Sequence, residues 1–148
     1  MIDRFERFSF SIFEISRFWH KIAGEVMDEY GLKGPCAIYL SVLYRNSQGL
    51  TAARLAELCG RDKADVSRSV AAMEEKGLLI RENKPYRAQL YLTEKGKEAA
   101  GAVCRRVTVA VEHAGKGYTV AQRKVFYQVL ETVTQNLSEL CKDGIPEK

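Results

Sequence analysis

Thr51–Lys97, TAARLAELCGRDKADVSRSVAAMEEKGLLIRENKPYRAQLYLTEKGK, is the stretch whose reading decides the fold. Thr51 precedes a short apolar-periodic run and can cap a helix to about Leu58, because its hydroxyl can accept from a free backbone donor of the first turn. Leu55 and Leu58 are expected to form the inner face of that helix. Cys59-Gly60-Arg61 then supplies a tight turn, and Asp62 a second cap for a helix over Lys63–Lys76, closed by Gly77. Val66, Val70 and Met73 recur at helical spacing and form the stripe that packs inward. Leu78–Arg81 and Gln89–Leu92 read as two short strands, with Glu82–Ala88 as the hairpin tip.

The flanks read as helices. From Ile2 to about Tyr30, the residues Phe5, Phe8, Ile12, Ile15, Trp19, Ile22 and Val26 are spaced alternately by three and four. That is a heptad seam, narrower than the stripe of a helix resting on one core, and it calls for another helix along its length. Phe13, Phe18 and Met27 widen the apolar surface. Gly31–Gly34 ends this helix, and a second runs over Pro35–Arg45, with Pro35 suited to its first turn. Asn46–Gly49 is a turn. After the hairpin, Thr93 caps a helix with Ala99, Ala100, Val103, Val107, Ala110, Val111 and Ala114 inward, broken at Gly115-Lys-Gly117. The last helix, about Val120–Cys141, carries Phe126, Val129, Leu130, Val133, Leu137 and Leu140 on one face. The expected fold is therefore mostly α with a small β-hairpin wing: a winged helix-turn-helix over 35–97, between a dimerisation helix over 1–34 and linker and dimerisation helices over 98–148.

Composition fits a soluble globular protein: 148 residues, 46% hydrophobic and 28% charged, net charge +4. Residues 51–97 hold ten Lys/Arg against seven Asp/Glu, and the remainder thirteen against twelve, so the positive excess lies in the central stretch. An excess placed there is what attraction to phosphate requires. The longest uncharged apolar stretch, Gly34–Tyr44, is too short for the roughly 18 residues of a membrane span. MIDRFERFSF has no basic stretch leading into a continuous apolar core, so a cytoplasmic location is expected. Cys36, Cys59, Cys104 and Cys141 have no paired or metal-like spacing, and four reduced, mostly buried thiols are expected. His20 and His113 are isolated, no nucleophile–base set appears, and Gly115-Lys-Gly117 is too short for a phosphate loop, so no enzyme, cofactor or metal is expected.

The face of the Lys63–Lys76 helix opposite the Val66 stripe presents Ala64 and Arg68, flanked by Lys63 and Ser67. Small residues let a helix approach the floor of the major groove, and an arginine there can donate twice to guanine or to phosphate. Arg54 is placed to meet backbone phosphates, and Lys84 and Arg87 at the hairpin tip the flanking minor groove or phosphates. Asp62 and Asp65 are acidic neighbours of this face: a capping role for the first and an internal ion pair for the second reconcile them with it. The same helical pair and hairpin can also serve as a protein-interaction module without operator specificity.

At these residues the sequence resembles the MarR family of bacterial transcriptional regulators. The matching pieces are TxxxLAxL at Thr51–Leu58, DKADVSRSVAAMEEKGLLIR at Asp62–Arg81 and YRAQLYLTEKG at Tyr86–Gly96. The resemblance implies a homodimer whose first and last helices interlock, through Phe5, Phe8, Ile12, Ile15, Phe126, Val133, Leu137 and Leu140 in this chain. It also implies a near-palindromic double-stranded operator and repression relieved by a small aromatic effector. It carries Lys63, Ala64, Ser67 and Arg68 over as groove readers, Arg87 as the wing-tip arginine and Arg81 as a brace of the wing through an acidic partner. Trp19, His20, Tyr30 and Tyr39 are the candidates to line an effector site. Many members carry a D-x-R-x-R wing tip; here it is NKPYR, shorter and with one arginine. A peroxide-sensing branch uses a reactive cysteine in the first helix. None of the four cysteines lies there, and Cys36, at a helix start that would favour a thiolate, is the nearest redox candidate.

Overall fold

The alternating seam does form one long helix, α1 (Ile2–Asp28), in a computed structural model that describes residues 2–146. Five further helices follow among the described residues: α2 (Cys36–Arg45), α3 (Ala52–Cys59), α4 (Lys63–Glu75), α5 (Glu94–Ala114) and α6 (Val120–Asp143). Caps set most of their starts. Thr51 Oγ1 accepts from the Arg54 amide at 3.2 Å, and Asp62 Oδ1 from the Ala64 amide at 3.1 Å. Thr119 and Gln122 form a reciprocal capping box at α6. Gly60 occupies the left-handed region, φ 59°, where the chain turns between α3 and α4, a conformation that is nearly free for glycine and costly for other residues.

Three strands form one antiparallel sheet in the order β1–β3–β2, with β1 at Leu50–Thr51, β2 at Leu79–Arg81 and β3 at Gln89–Leu92. The expected hairpin is β2 and β3, paired Leu79 to Leu92 and Arg81 to Leu90. Strand β1 was not expected. It pairs Leu50 with Leu90 and Thr51 with Gln89, and two residues carry no alternation from which a strand can be read. It ties the entry to α3 directly onto the wing.

The chain divides into two compact units, Met1–Val109 and Ala110–Lys148. In the first, one core joins Val26 and Met27 from the end of α1, Tyr39, Leu40 and Leu43 from α2, Leu55 from α3, Val66, Val70 and Met73 from α4, Leu78, Leu79 and Leu90 from the wing, and Ala99, Ala100 and Val103 from α5. Leu58, expected inward, is exposed; α3 turns Leu55 and Ala56 to the core instead, since eight residues bury only one narrow face. Among the described residues of α1, only Val26 and Met27 are buried. Phe5 (70% exposed), Phe8, Ile12 and Ile15 stand in solvent. In the second unit, no residue of α6 is buried: Phe126 and Leu137 are exposed, Val133 and Leu140 half-buried.

Of the glycines, Gly96 has the tightest surroundings, where α5 begins. The Thr93 amide donates to the Leu78 carbonyl at 3.1 Å, and the Thr93 hydroxyl donates to the Gly77 carbonyl at 2.6 Å while accepting from the Gly96 amide at 3.1 Å. Gly96 packs so tightly that a Cβ added there would lie 1.9 Å from the Leu78 carbonyl oxygen. The obstacle is the Leu78 backbone, which cannot swing aside as the end of a flexible side chain would. Gly96→Ala is therefore expected to cost about 3 kcal/mol and to lower Tm by roughly 10 °C in thermal denaturation followed by circular dichroism. A shift within about 2 °C of the parent would contradict this packing.

Candidate nucleic-acid interface

Helix α4 is amphipathic with its two faces cleanly assigned. Val66, Val70 and Met73 are fully buried, while Lys63, Ala64, Ser67 and Arg68 are all exposed on the amino-terminal half. Ala64 and Arg68 are one turn apart, as are Lys63 and Ser67, so the four make a single patch. Asp62 spends its carboxylate on the helix cap, as anticipated. Asp65 is held from two sides. Its Oδ2 accepts from the Tyr39 hydroxyl at 2.8 Å, and its Oδ1 lies 3.8 Å from Arg68 Nη2. The patch thus keeps its acids occupied internally, and its outward-facing charge is positive.

The wing extends from the same core. Glu82 closes the tip: its amide donates to the Gln89 carbonyl at 2.9 Å, and its carboxylate accepts from the Gln89 amide and the Lys84 ammonium, each at 3.0 Å. The Gln89 amide first, and Lys84 second, hold the Glu82 carboxyl below its ordinary value. Arg87 sits at φ 48°, a left-handed conformation for a non-glycine residue that costs on the order of 1 kcal/mol. Arg81, at the end of β2, lies 3.6 Å from Glu74 of α4, an ion pair that links the wing to the carboxyl-terminal half of α4. Exposed pairs of this kind contribute at most about 1 kcal/mol.

Not every basic candidate is equally available. Arg54 is paired with Glu57 at 2.7 Å and Lys84 with Glu82 at 3.0 Å, so each would exchange an internal partner for a phosphate. Lys63 and Arg87 form no ion pair among the described residues. Arg61, in the turn that leads into α4, is likewise exposed and without an ion pair among them, and sequence reasoning passed over it because turn residues carry no periodic signal.

The four candidate effector residues are not brought to one cavity. Trp19 and His20 are exposed on α1, and His20 Nδ1 is engaged within its own helix by Ser16. Tyr30 is half-buried against the core. Tyr39 is a correction: its ring is fully buried and its hydroxyl is committed to Asp65, so it braces α2 against α4 rather than facing a ligand. An open cleft of about 480 Å³ lies elsewhere, lined by Leu43, Tyr44, Asn46, Ser47, Tyr91, Leu92 and Lys97. Asn46 donates within α2 to the Val42 carbonyl and Lys97 pairs with Glu94, so the cleft's two strongest donors are already engaged.

Two cysteine expectations are also revised. Only Cys36 is buried; Cys59 and Cys104 are half-buried and Cys141 is exposed. At Cys36 burial outweighs the helix start: it pushes the thiol above its ordinary value, against smaller opposing pulls from the Ser69 side chain and the Lys33 backbone. A raised thiol is mostly protonated at neutral pH and so a poor nucleophile. Timed alkylation with iodoacetamide at pH 7.5, read by mass spectrometry, is therefore expected to label Cys141 at least about tenfold faster than Cys36. Faster labelling of Cys36 would overturn this ordering.

Comparison with known proteins agrees with the winged-helix fold. The model of the MarR family matches residues 30–86. No curated protein matches the chain. Among solved structures, a MarR-family transcriptional regulator from Listeria monocytogenes in complex with 26mer DNA is 26% identical; the match covers 93% of this chain and 95% of that one, with a TM-score of 0.81. A MarR transcriptional regulator from Methanosarcina mazei Go1 is 21% identical over 91% of this chain and 92% of that one, TM-score 0.80. CouR from Rhodococcus jostii RHA1, bound to p-coumaroyl-CoA, is 17% identical over 85% and 90%, TM-score 0.73; at such identity the likeness is one of fold.

Proposed function

We propose that the chain is a transcriptional regulator of the MarR family, acting as a homodimeric repressor that binds a near-palindromic DNA operator and is released by a small-molecule effector. The observation that carries the DNA reading is the outward patch of α4, Lys63, Ala64, Ser67 and Arg68, standing clear of the core while its acids are held internally. A helix with a small residue and an arginine one turn apart suits the major groove, and its own amino terminus favours nearby phosphate. Arg87 at the wing tip, Lys84 beside it and Arg54 on α3 supply the backbone contacts that fix register. The Listeria relative, bound to 26mer DNA, supports the same use of this fold.

The dimer reading is supported by exposed apolar residues, Phe5, Phe8, Ile12 and Ile15 of α1 and Phe126 and Leu137 of α6, with the half-buried Val133 and Leu140 on the same helix. Exposed apolar surface of this extent on a soluble chain marks an association face. A two-fold axis would cover both helices and set two copies of α4 about one helical turn of DNA apart, roughly 34 Å. In this division of labour, 1–34 and 98–148 assemble the dimer and 35–97 reads DNA. Trp19, His20 and Tyr30 remain the candidates for effector contact, and the ligand-bound CouR supports a regulator of this fold taking a small molecule. Among the described residues no helix is long and apolar enough to cross a membrane.

In a fluorescence-anisotropy titration with duplexes selected from a randomised pool, Arg68→Ala is expected to cost about 1–3 kcal/mol and to relax base preference. Arg87→Ala should weaken all duplexes more evenly and reduce the dependence on salt. Equal binding by the parent and both variants would exclude these roles. For the dimer, Ile15→Asp is expected to give a monomer or an aggregate by light scattering, and an intact dimer of that variant would exclude the α1 seam.

A further inference from the structure

Asp65 divides its carboxylate between two neighbours of very different kind. Oδ2 accepts from Tyr39, a fully buried residue of α2 that is 26 positions earlier in the chain, and Oδ1 faces Arg68 on the exposed side of α4. A phenol in a dry core must place its hydroxyl on a partner or lose the full cost of desolvation, so the contact is firmly held. Burial first, and the Asp65 hydrogen bond and charge next, push the Tyr39 hydroxyl well above its ordinary value, so it is protonated and donating across the whole working pH range. With Oδ2 engaged by the Tyr39 hydroxyl, Oδ1 stands 3.8 Å from the Arg68 guanidinium.

We infer that Tyr39 is a positioning residue for DNA recognition: by pinning Asp65 it aims Arg68, although it lies beneath the surface that meets the bases. Arg68 has a long flexible side chain, 73% exposed, and without a fixed acid beside it the guanidinium samples many directions. A guanidinium with a fixed carboxylate 3.8 Å away is biased toward one direction by that charge, and paired donation to guanine O6 and N7 depends on direction. Released from Tyr39, Asp65 would swing along the first turn of α4, where its charge opposes phosphate. Helix α4 itself stays anchored when the hydroxyl is removed, because Val66, Val70 and Met73 remain in the core. Phenylalanine keeps the ring's packing and deletes only the donor.

The inference rests on Arg68 as a base reader, and the experiment separates the two. A duplex selected by the parent protein from a randomised pool is compared by anisotropy with variants in which each guanine is replaced in turn, for the parent, Tyr39→Phe, Asp65→Ala, Arg68→Ala and the Tyr39→Phe/Asp65→Ala pair. The expected result is that Tyr39→Phe reduces the preference for the guanine read by Arg68 about tenfold, with the salt dependence of binding unchanged. Adding Tyr39→Phe to Asp65→Ala should then change that preference less than about twofold, because the hydroxyl acts only through the carboxylate. Loss of preference with Arg68→Ala but not with Tyr39→Phe would overturn the positioning role alone. Unchanged preference with Arg68→Ala would overturn the base-reading role and the positioning role with it. A uniform weakening by Tyr39→Phe on every duplex, with a lowered Tm, would show a merely structural tyrosine and also overturn the inference. Should Asp65→Ala fail to fold, the comparison of Tyr39→Phe with Arg68→Ala decides the matter by itself.

Discussion

The contact on which the rest depends is between backbones: the Leu78 carbonyl against Gly96, with Thr93 bonded to both Gly77 and Leu78. Here the turn that ends α4 and the turn that begins α5 share one set of hydrogen bonds. Backbone groups buried between elements must be paired, and here Thr93 pairs those of Gly77, Leu78 and Gly96, while the Lys95 ammonium donates to the Lys76 carbonyl at 3.0 Å. The consequence is geometric. The wing leaves from Leu78 and returns at Leu92, and the bonds of Thr93 to Gly77 and Leu78 fix both of its ends at the carboxyl end of α4. The Arg81–Glu74 pair adds a second, weaker tie between the same two elements.

Helix α4 is also fixed from behind. Three apolar residues seat it in the core, while Tyr39 reaches it from α2 through Asp65. Polar contacts in a core are directional where apolar packing is not, so they set the rotation of α4 about its own axis. Rotation by a single residue, about 100°, would carry Arg68 away from the position that Ala64 leaves open. Rigid placement of this kind matters more for reading a sequence than for adhering to phosphate, since base discrimination depends on donor direction whereas attraction to the backbone does not.

Much of this was legible in the sequence, for identifiable reasons. Helices α1, α4 and α6 have strong periodicity, and Thr51, Asp62 and Gly77 carry the local chemistry of caps and stops, so their elements emerged close to their true bounds. The outward patch of α4 followed from its inward stripe. Strand β1 was invisible because two residues have no period, and Leu58 was misplaced because one helical turn cannot distinguish two adjacent apolar faces. Tyr39 was read as a candidate for ligand contact because an aromatic near a helix bundle suggests a pocket; its hydrogen bond spans 26 residues, and no local pattern announces it. At Cys36 the helix start was visible and the burial was not, and burial dominates the thiol.

Among the described residues, apolar side chains of α1 and of α6 stand exposed, and the proposed two-fold assembly would cover them while duplicating α4. The central claim is that two copies of α4 enter the major groove and read guanine there. Dimethyl sulfate methylation of guanine N7, which lies on the floor of that groove, tests it most directly on a duplex the protein has selected. Methylation is expected to block binding at two guanines related by a dyad and separated by about 10 base pairs. Binding that is indifferent to methylation at every guanine, or blocked at a single site with no symmetry mate, would contradict the account.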